Sequence, residues 1–158
     1  MKPLKFRLNL NYNQELILNT LSNEHRLLYN YLLDKAKKGF TFKQLNKSYK
    51  EYRLNHNLTI QSKAAQNTCR TLINSIKSFY SLYKKDNTAK YPYKFKSYKY
   101  FIKFILDWNT GNGGFKIKDN TLYVALNNKH KLILNLNLYC SIINESNIKT
   151  ITFKKEDN

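Results

Sequence analysis

Apolar and polar residues alternate over residues 5–10 (KFRLNL), where Phe6, Leu8 and Leu10 are set against Lys5, Arg7 and Asn9. A period of two is the pattern of a half-buried strand with one wet face. The period then lengthens. Across residues 14–38, Leu16, Ile17, Leu21, Leu28, Tyr31 and Leu32 recur at spacings of three and four, which predicts a helix, with Asn11 and Asn13 available as N-caps. Ser22 and Asn23 are expected to bend or restart this helix, placing Glu24 in a new first turn. Lys35, Lys37 and Lys38 ahead of Gly39 make a C-terminal stop, because cations suit the last turn and glycine the residue past it. Thr41 caps a second helix over residues 42–53, and residues 54–59 read as a polar connector. The clearest helix covers residues 61–84. Ala65, Cys69, Leu72, Ile76, Phe79 and Tyr83 form one stripe, while Lys63, Gln66, Asn67, Arg70, Asn74 and Lys77 lie largely off it.

After residue 84 the helical period is lost. Residues 84–103 read KKDNTAKYPYKFKSYKYFIK, with seven lysines interleaved with Tyr91, Tyr93, Phe95, Tyr98, Tyr100 and Phe101 and opposed by Asp86 alone. Short period-two runs follow. Residues 100–108 are strand-like, 110–114 form a glycine-rich loop, and 115–118 and 121–126 alternate around Asp119 and Asn120. That pair suits the positive φ of a tight hairpin. Residues 131–136 and 148–154 are further strands. One strand, then helices, then several short antiparallel strands define an α+β chain. A β-barrel carrying a helical insertion after its first strand satisfies this order, with one small core in each part. The barrel would comprise residues 1–11 and 98–158, the helical insertion 12–84, and a basic–aromatic linker 85–97. No internal repeat is present.

Composition adds a partner class. The 158 residues are 42% hydrophobic, enough for a real core, yet carry a formal net charge of +18. Compaction works against that self-repulsion, and a polyanion would relieve it. Nucleic acid is the first candidate and an anionic membrane surface the second. No apolar run is long enough to span a bilayer, and the opening MKPLKFRLNL lacks the apolar region of a signal peptide. Cys69 and Cys140 lie far apart without CxxC spacing, and Cys69 falls on the apolar stripe as a buried thiol. An intracellular, cytoplasmic protein without a disulfide framework or zinc finger is expected.

Catalytic chemistry is sparse. A metal-dependent nuclease needs convergent carboxylates, whereas the ten acids here are scattered, with Glu145, Glu156 and Asp157 the only near-neighbours. His25, His56 and His130 have no companion at ligand spacing. Residues 111–114 (GNGG) lack the helix and Lys-Ser/Thr of a phosphate loop. No catalytic residue, metal ligand or cofactor is assigned.

Binding chemistry is better represented. Lysines that neutralise phosphates, alternating with rings that stack on bases, suit a surface tracking a nucleic-acid backbone. Lys5, Arg7, Lys84, Lys85, Lys90, Tyr93, Lys94, Lys96, Lys99 and Lys103 are the phosphate or RNA candidates. In the first two turns of the third predicted helix, amides of Gln66 and Asn67 can reach base edges beside Ser62, while Lys63 approaches phosphate. Phe42, Lys43 and Asn46 open the preceding helix and extend that set. A solvated polar face is the competing reading of these helices. For the linker, the alternative is that rings pack inward while lysines only solvate.

The order FRLNLNYNQELILNTLSNEHRLLYNYLL, QSKAAQNTCRTLINSIKSFYSLYKK, YPYKFKSYKYFIKF, FKIKDNTLYV and IKTITFKK resembles the N-terminal half of TnpB (OrfB) proteins, the RNA-guided DNA nucleases of insertion sequences. The match rests on the leading strand with its Asn-Gln helix start, the steps at Leu28-Tyr29-Asn30 and Ala65-Gln66-Asn67, the run from Tyr91 to Ser97, and the FKI-to-LYV hairpin. The resemblance implies an OB-like wedge barrel interrupted by a helical recognition insertion, gripping guide RNA and duplex DNA. Phe42, Asn46, Ser62, Lys63 and Gln66 would then face the target-adjacent motif. Where the family has Pro-Arg-Phe, this chain has Pro92-Tyr93-Lys94-Phe95. The family's RuvC-like nuclease domain, which would use Mg, and its zinc ribbon would begin near where this sequence stops. The chain alone is therefore expected not to cut DNA. It would serve as the binding half of such an endonuclease, alone or with a separate RuvC-containing chain, or as a nuclease-dead regulator acting by occupancy.

Overall fold

The computed structural model describes residues 5–107, 114–127, 130–136 and 148–156. Trp108, most of the predicted glycine-rich loop, Cys140, Glu145 and Asp157 lie outside them. The fold is α+β, with three helices followed by five short strands among the described residues.

Helix α1 spans Tyr12–Lys37. Its N-terminus is closed by a capping box, in which Gln14 N–H donates to Asn11 Oδ1 and Asn11 N–H to Gln14 Oε1. Its C-terminus is a Schellman motif: Phe40 N–H donates to Lys35 O, Gly39 N–H to Ala36 O, and Gly39 holds φ +89°. Contrary to expectation, α1 runs unbroken through Ser22 and Asn23. Both side chains are engaged away from the local backbone: Ser22 Oγ with Ile102, and Asn23 Oδ1 with Arg26. Neither competes with the helical ladder. Helix α2 (Phe42–Asn55) starts with a second capping box, between Thr41 and Gln44. Helix α3 (Ser62–Tyr83) is capped by Gln61, and its stripe is buried through Ile76 before Tyr83 emerges into solvent.

Strands β1 (Phe104–Asp107) and β5 (Thr150–Phe153) pair antiparallel, with Phe104 opposite Phe153. Strands β2 (Phe115–Lys118), β3 (Thr121–Ala125) and β4 (Lys131–Asn135) form a separate meander. Asp119 and Asn120 hold φ +49° and +60°, the two positive values that the β2–β3 turn needs. Register places Phe115, Ile117, Leu122, Val124, Leu132 and Leu134 on one buried face.

Two expectations are corrected. The strands form two sheets, and among the described residues they do not close into a barrel. Residues 5–10, read as the first strand, run outside both sheets, with Phe6 and Leu10 exposed and Leu8 alone packed on the core. Alternation supplies a buried face, but a strand also needs an edge to pair with, and β1 pairs with β5. The second correction concerns the core. Apolar residues of helices and sheets form one continuous cluster rather than one core per part. The connector after α2 joins them. Leu58 and Ile60 are buried, Ile60 bridges to Leu126, Asn127 N–H donates to Thr59 O, and Glu24 accepts from Thr59 and Ile60 N–H.

Candidate nucleic-acid interface

Residues 84–103 contain no helix or strand, yet they are held in place. Asn30 of α1 treats Lys96 as a neighbouring strand would. Its Oδ1 accepts from Lys96 N–H at 2.7 Å, and its Nδ2 donates to Lys96 O at 2.9 Å. About two turns nearer the start of α1, Ser22 Oγ accepts from Ile102 N–H at 2.7 Å and donates to Ile102 O at 3.1 Å. Asn67 of α3 then donates to Ile105 O at 3.2 Å. The bonds to Lys96 and Ile102 satisfy main-chain groups that lie outside any strand. The segment thus descends antiparallel along α1 and enters β1.

Aromatic contacts fix which rings are sheltered. Tyr91 meets Phe79 edge-on, with centroids 5.3 Å apart. Lys96 Nζ lies 4.6 Å from the centre of the Tyr29 ring, and Lys37 Nζ lies 4.0 Å from that of Phe95. Tyr93, Phe95, Tyr98 and Tyr100 remain exposed. The inward-packing expectation for the linker rings therefore holds for Tyr91 and not for Tyr98 and Tyr100.

The charges are unevenly compensated. Among the described residues, none of Lys84, Lys85, Lys90, Lys94, Lys96, Lys99 and Lys103 forms an ion pair. Asp86, the acid of the segment, is occupied by Thr88, whose N–H and hydroxyl hold its carboxyl below the usual range. Lys5 differs from the other candidates. It shares Glu156 with Lys154, and their hydrogen bonds push the Glu156 carboxyl down to about 2. Arg7 is exposed beside it in sequence.

The helical candidates do not form one cluster. Helices α2 and α3 are antiparallel: Lys77 Nζ reaches the Phe42 ring at 5.5 Å, and Cys69 Sγ lies 3.8 Å from Asn46 Oδ1. Phe42 therefore sits beside a part of α3 some ~20 Å from Lys63, at 1.5 Å per residue. Asn46 Nδ2 donates to Phe42 O, so its amide is engaged on its own helix. Lys43, Ser62 and Lys63 are exposed and Gln66 is half-buried. Asn67 is turned inward, where its amide bonds Ile105 and receives Arg70. It is unavailable to a base edge.

Sequence reasoning missed Ser22, Asn30 and Glu24, which position the segment and the connector. The available signal was polar residues on or beside the apolar stripe of α1, where a solvated residue would be out of place. The buried His25 carries the same signal. Its Nδ1 bonds Thr68 Oγ1, which donates to Ala64 O; that assigns the proton to Nδ1 and leaves Nε2 without a partner. The ring stacks on Phe104 at 4.8 Å, and burial pushes its pKa down to about 3.

Among the described residues, no three His, Cys, Asp or Glu side chains converge as a metal site would require, and no helix is long and apolar enough to cross a membrane. Burial raises the Cys69 thiol to about 11, away from nucleophilic use. Compared with known proteins, the chain matches no protein-family model and no curated protein.

Proposed function

We propose that this chain is the nucleic-acid-binding portion of a TnpB-like RNA-guided DNA endonuclease, contacting guide RNA and target-adjacent duplex DNA without cutting DNA by itself. The observation that carries the reading is the basic–aromatic segment: lysines without carboxylate partners among the described residues and solvent-facing rings, displayed on a path that Asn30 and Ser22 hold against α1. A fixed row of cations gives a phosphate backbone a surface that needs little ordering on binding. On this reading the two small sheets belong to an OB-like wedge, and α1–α3 are the recognition insertion. Ser62, Lys63 and Gln66 at the start of α3 then approach the DNA, with Phe42, Lys43 and Asn46 as a separate contact.

The test is binding of the purified chain to RNA and duplex DNA across a salt series. Replacing Lys94, Lys96 and Lys99 together with Ala should weaken binding across all sequences. It should also flatten the dependence of log K on log salt by about 2–3, one for each lost phosphate contact. Weak, salt-insensitive binding of the unaltered chain would sink the proposal. Duplex binding that needs co-purified RNA supports the guided mechanism, whereas guide-independent duplex binding supports a regulator acting by occupancy.

A further inference from the structure

A cleft of about 350 Å³ opens where the basic–aromatic segment leaves α1. On the helix side it is lined by Asn19, Asn23 and Arg26, which share one face at spacings of four and three. On the other side are Tyr98, Lys99 and Tyr100, and Lys155 also lines it. We propose that this cleft is a binding site for one unpaired nucleotide of a single-stranded nucleic acid, with its phosphate on Arg26 and its base against the tyrosines. The inference rests on the nucleic-acid reading above and adds to it a site and a strandedness.

Arg26 is prepared for this role. Its Nε and Nη2 donate to Asn23 Oδ1 at 3.1 and 2.8 Å, which fixes the plane of the guanidinium while Nη1 keeps its donors. A planar fork held in advance suits a phosphate better than a free ammonium does. Lys99 has no ion pair among the described residues, and Lys155 is only loosely engaged with Glu15, at 3.8 Å. Three cations thus face one recess.

The rings decide the strandedness. Tyr98 is 78% exposed and Tyr100 69%, although neighbouring Phe101 packs on the core. The turn at residues 98–99, supported by Lys99 N–H donating to Ser97 Oγ, turns them outward. In a duplex the faces of the bases are stacked on one another, and such rings would have nothing to contact. An unpaired base offers a free face, and the amide of Asn19 and the Nδ2 of Asn23 offer hydrogen bonds to its edge. The cleft volume lies near the lower end of small-ligand pockets, roughly 300–1,000 Å³, which fits one nucleotide unit. The larger recess between α3 and Pro92 has Lys90 as its one cation and no anchored guanidinium, and it is more open.

The experiment measures anisotropy of a short labelled oligouridylate, the matching oligothymidylate and a mixed-sequence duplex of equal length, titrated with the full chain at one fixed salt concentration. The double variant Tyr98→Ala/Tyr100→Ala, and separately Arg26→Lys, should each weaken single-strand binding at least about fivefold, the effect of a lost stacked base or phosphate fork. Duplex binding should fall by no more than about twofold. Circular dichroism confirms that the variants are folded, and 2-aminopurine placed in the single strand should lose its binding-induced quenching in the tyrosine variant. Equal losses on single strand and duplex, or unchanged single-strand affinity, would overturn the inference. If the lysine triple variant still weakens binding in that case, the proposed function stands and only the cleft assignment fails. If the unaltered chain binds neither form, both fail.

Discussion

Tyr29 on α1 is 7% exposed beneath Lys96, whereas Tyr98, two residues beyond Lys96, is 78% exposed. Ring and cation are the same in kind at both places, and only the side of the Lys96 clamp on which they fall differs. Below the clamp, Leu28, Leu32 and Leu33 are fully buried, and aromatic surface contributes to the core. Above it, rings and lysines are held in water by a backbone that cannot retreat, because Asn30 and Ser22 occupy its main-chain groups. Exposed aromatic residues on a loose chain would collapse onto the nearest apolar surface. Here they are kept apart from it by hydrogen bonds, so the division between folding and display is set by two polar side chains.

That division can be broken at several points. At pH 7 the largest effect is expected at Leu28→Ala, which empties a fully buried position on α1. Equilibrium denaturation should show a loss of ~3 kcal/mol. The next is a pH effect at His25. The folded pKa is about 3 and the unfolded value near 6.5, so the unfolded chain takes up the proton first as pH falls. Its contribution is full above about pH 6.5 and is lost progressively towards pH 3, at up to ~1.4 kcal/mol per pH unit. The stability difference between the unaltered chain and His25→Gln should shrink across that window; a constant difference would remove His25 as the cause.

Asn30→Ala addresses the boundary itself. It leaves Lys96 N–H and C=O without partners and should cost about 1–3 kcal/mol. Trypsin should then cut after Lys94 and Lys99 faster than in the unaltered chain, while sites within α1 keep their protection. The smallest effect is expected at Tyr98→Ala, within about 0.5 kcal/mol of the unaltered stability by thermal denaturation. A loss as large as that at Leu28 would mean that the ring is part of the core after all.

Helix ends, the stripe of α3 and the Asp119–Asn120 turn were legible in the sequence because capping, helical period and positive φ are decided within a few neighbouring residues. Pairing was less legible. Nothing local in residues 5–10 says that β1 will take β5 as its partner. Asn67 illustrates the limit at the candidate site: its position in the first two turns of α3 suited base reading, but the chain returning at Ile105 claims its amide from 38 residues away. The exposed rings were legible as residues and not as a cleft, since the wall that faces them is α1, and its approach depends on Ser22 and Asn30.

The two pins on α1 also set a length. Asn30 and Ser22 are eight residues apart on a helix, a span of ~12 Å. Lys96 and Ile102 are six residue steps apart, which reach ~20 Å when extended. Roughly 8 Å of excess contour has to go somewhere, and it rises as the arch bearing Tyr98 and Tyr100. Deleting one residue between the pins would draw the arch down towards the helix, whereas inserting one would raise it without moving either pin. Five steps still reach ~17 Å, more than the ~12 Å between the pins, so losing one residue lowers the arch without breaking the pinning.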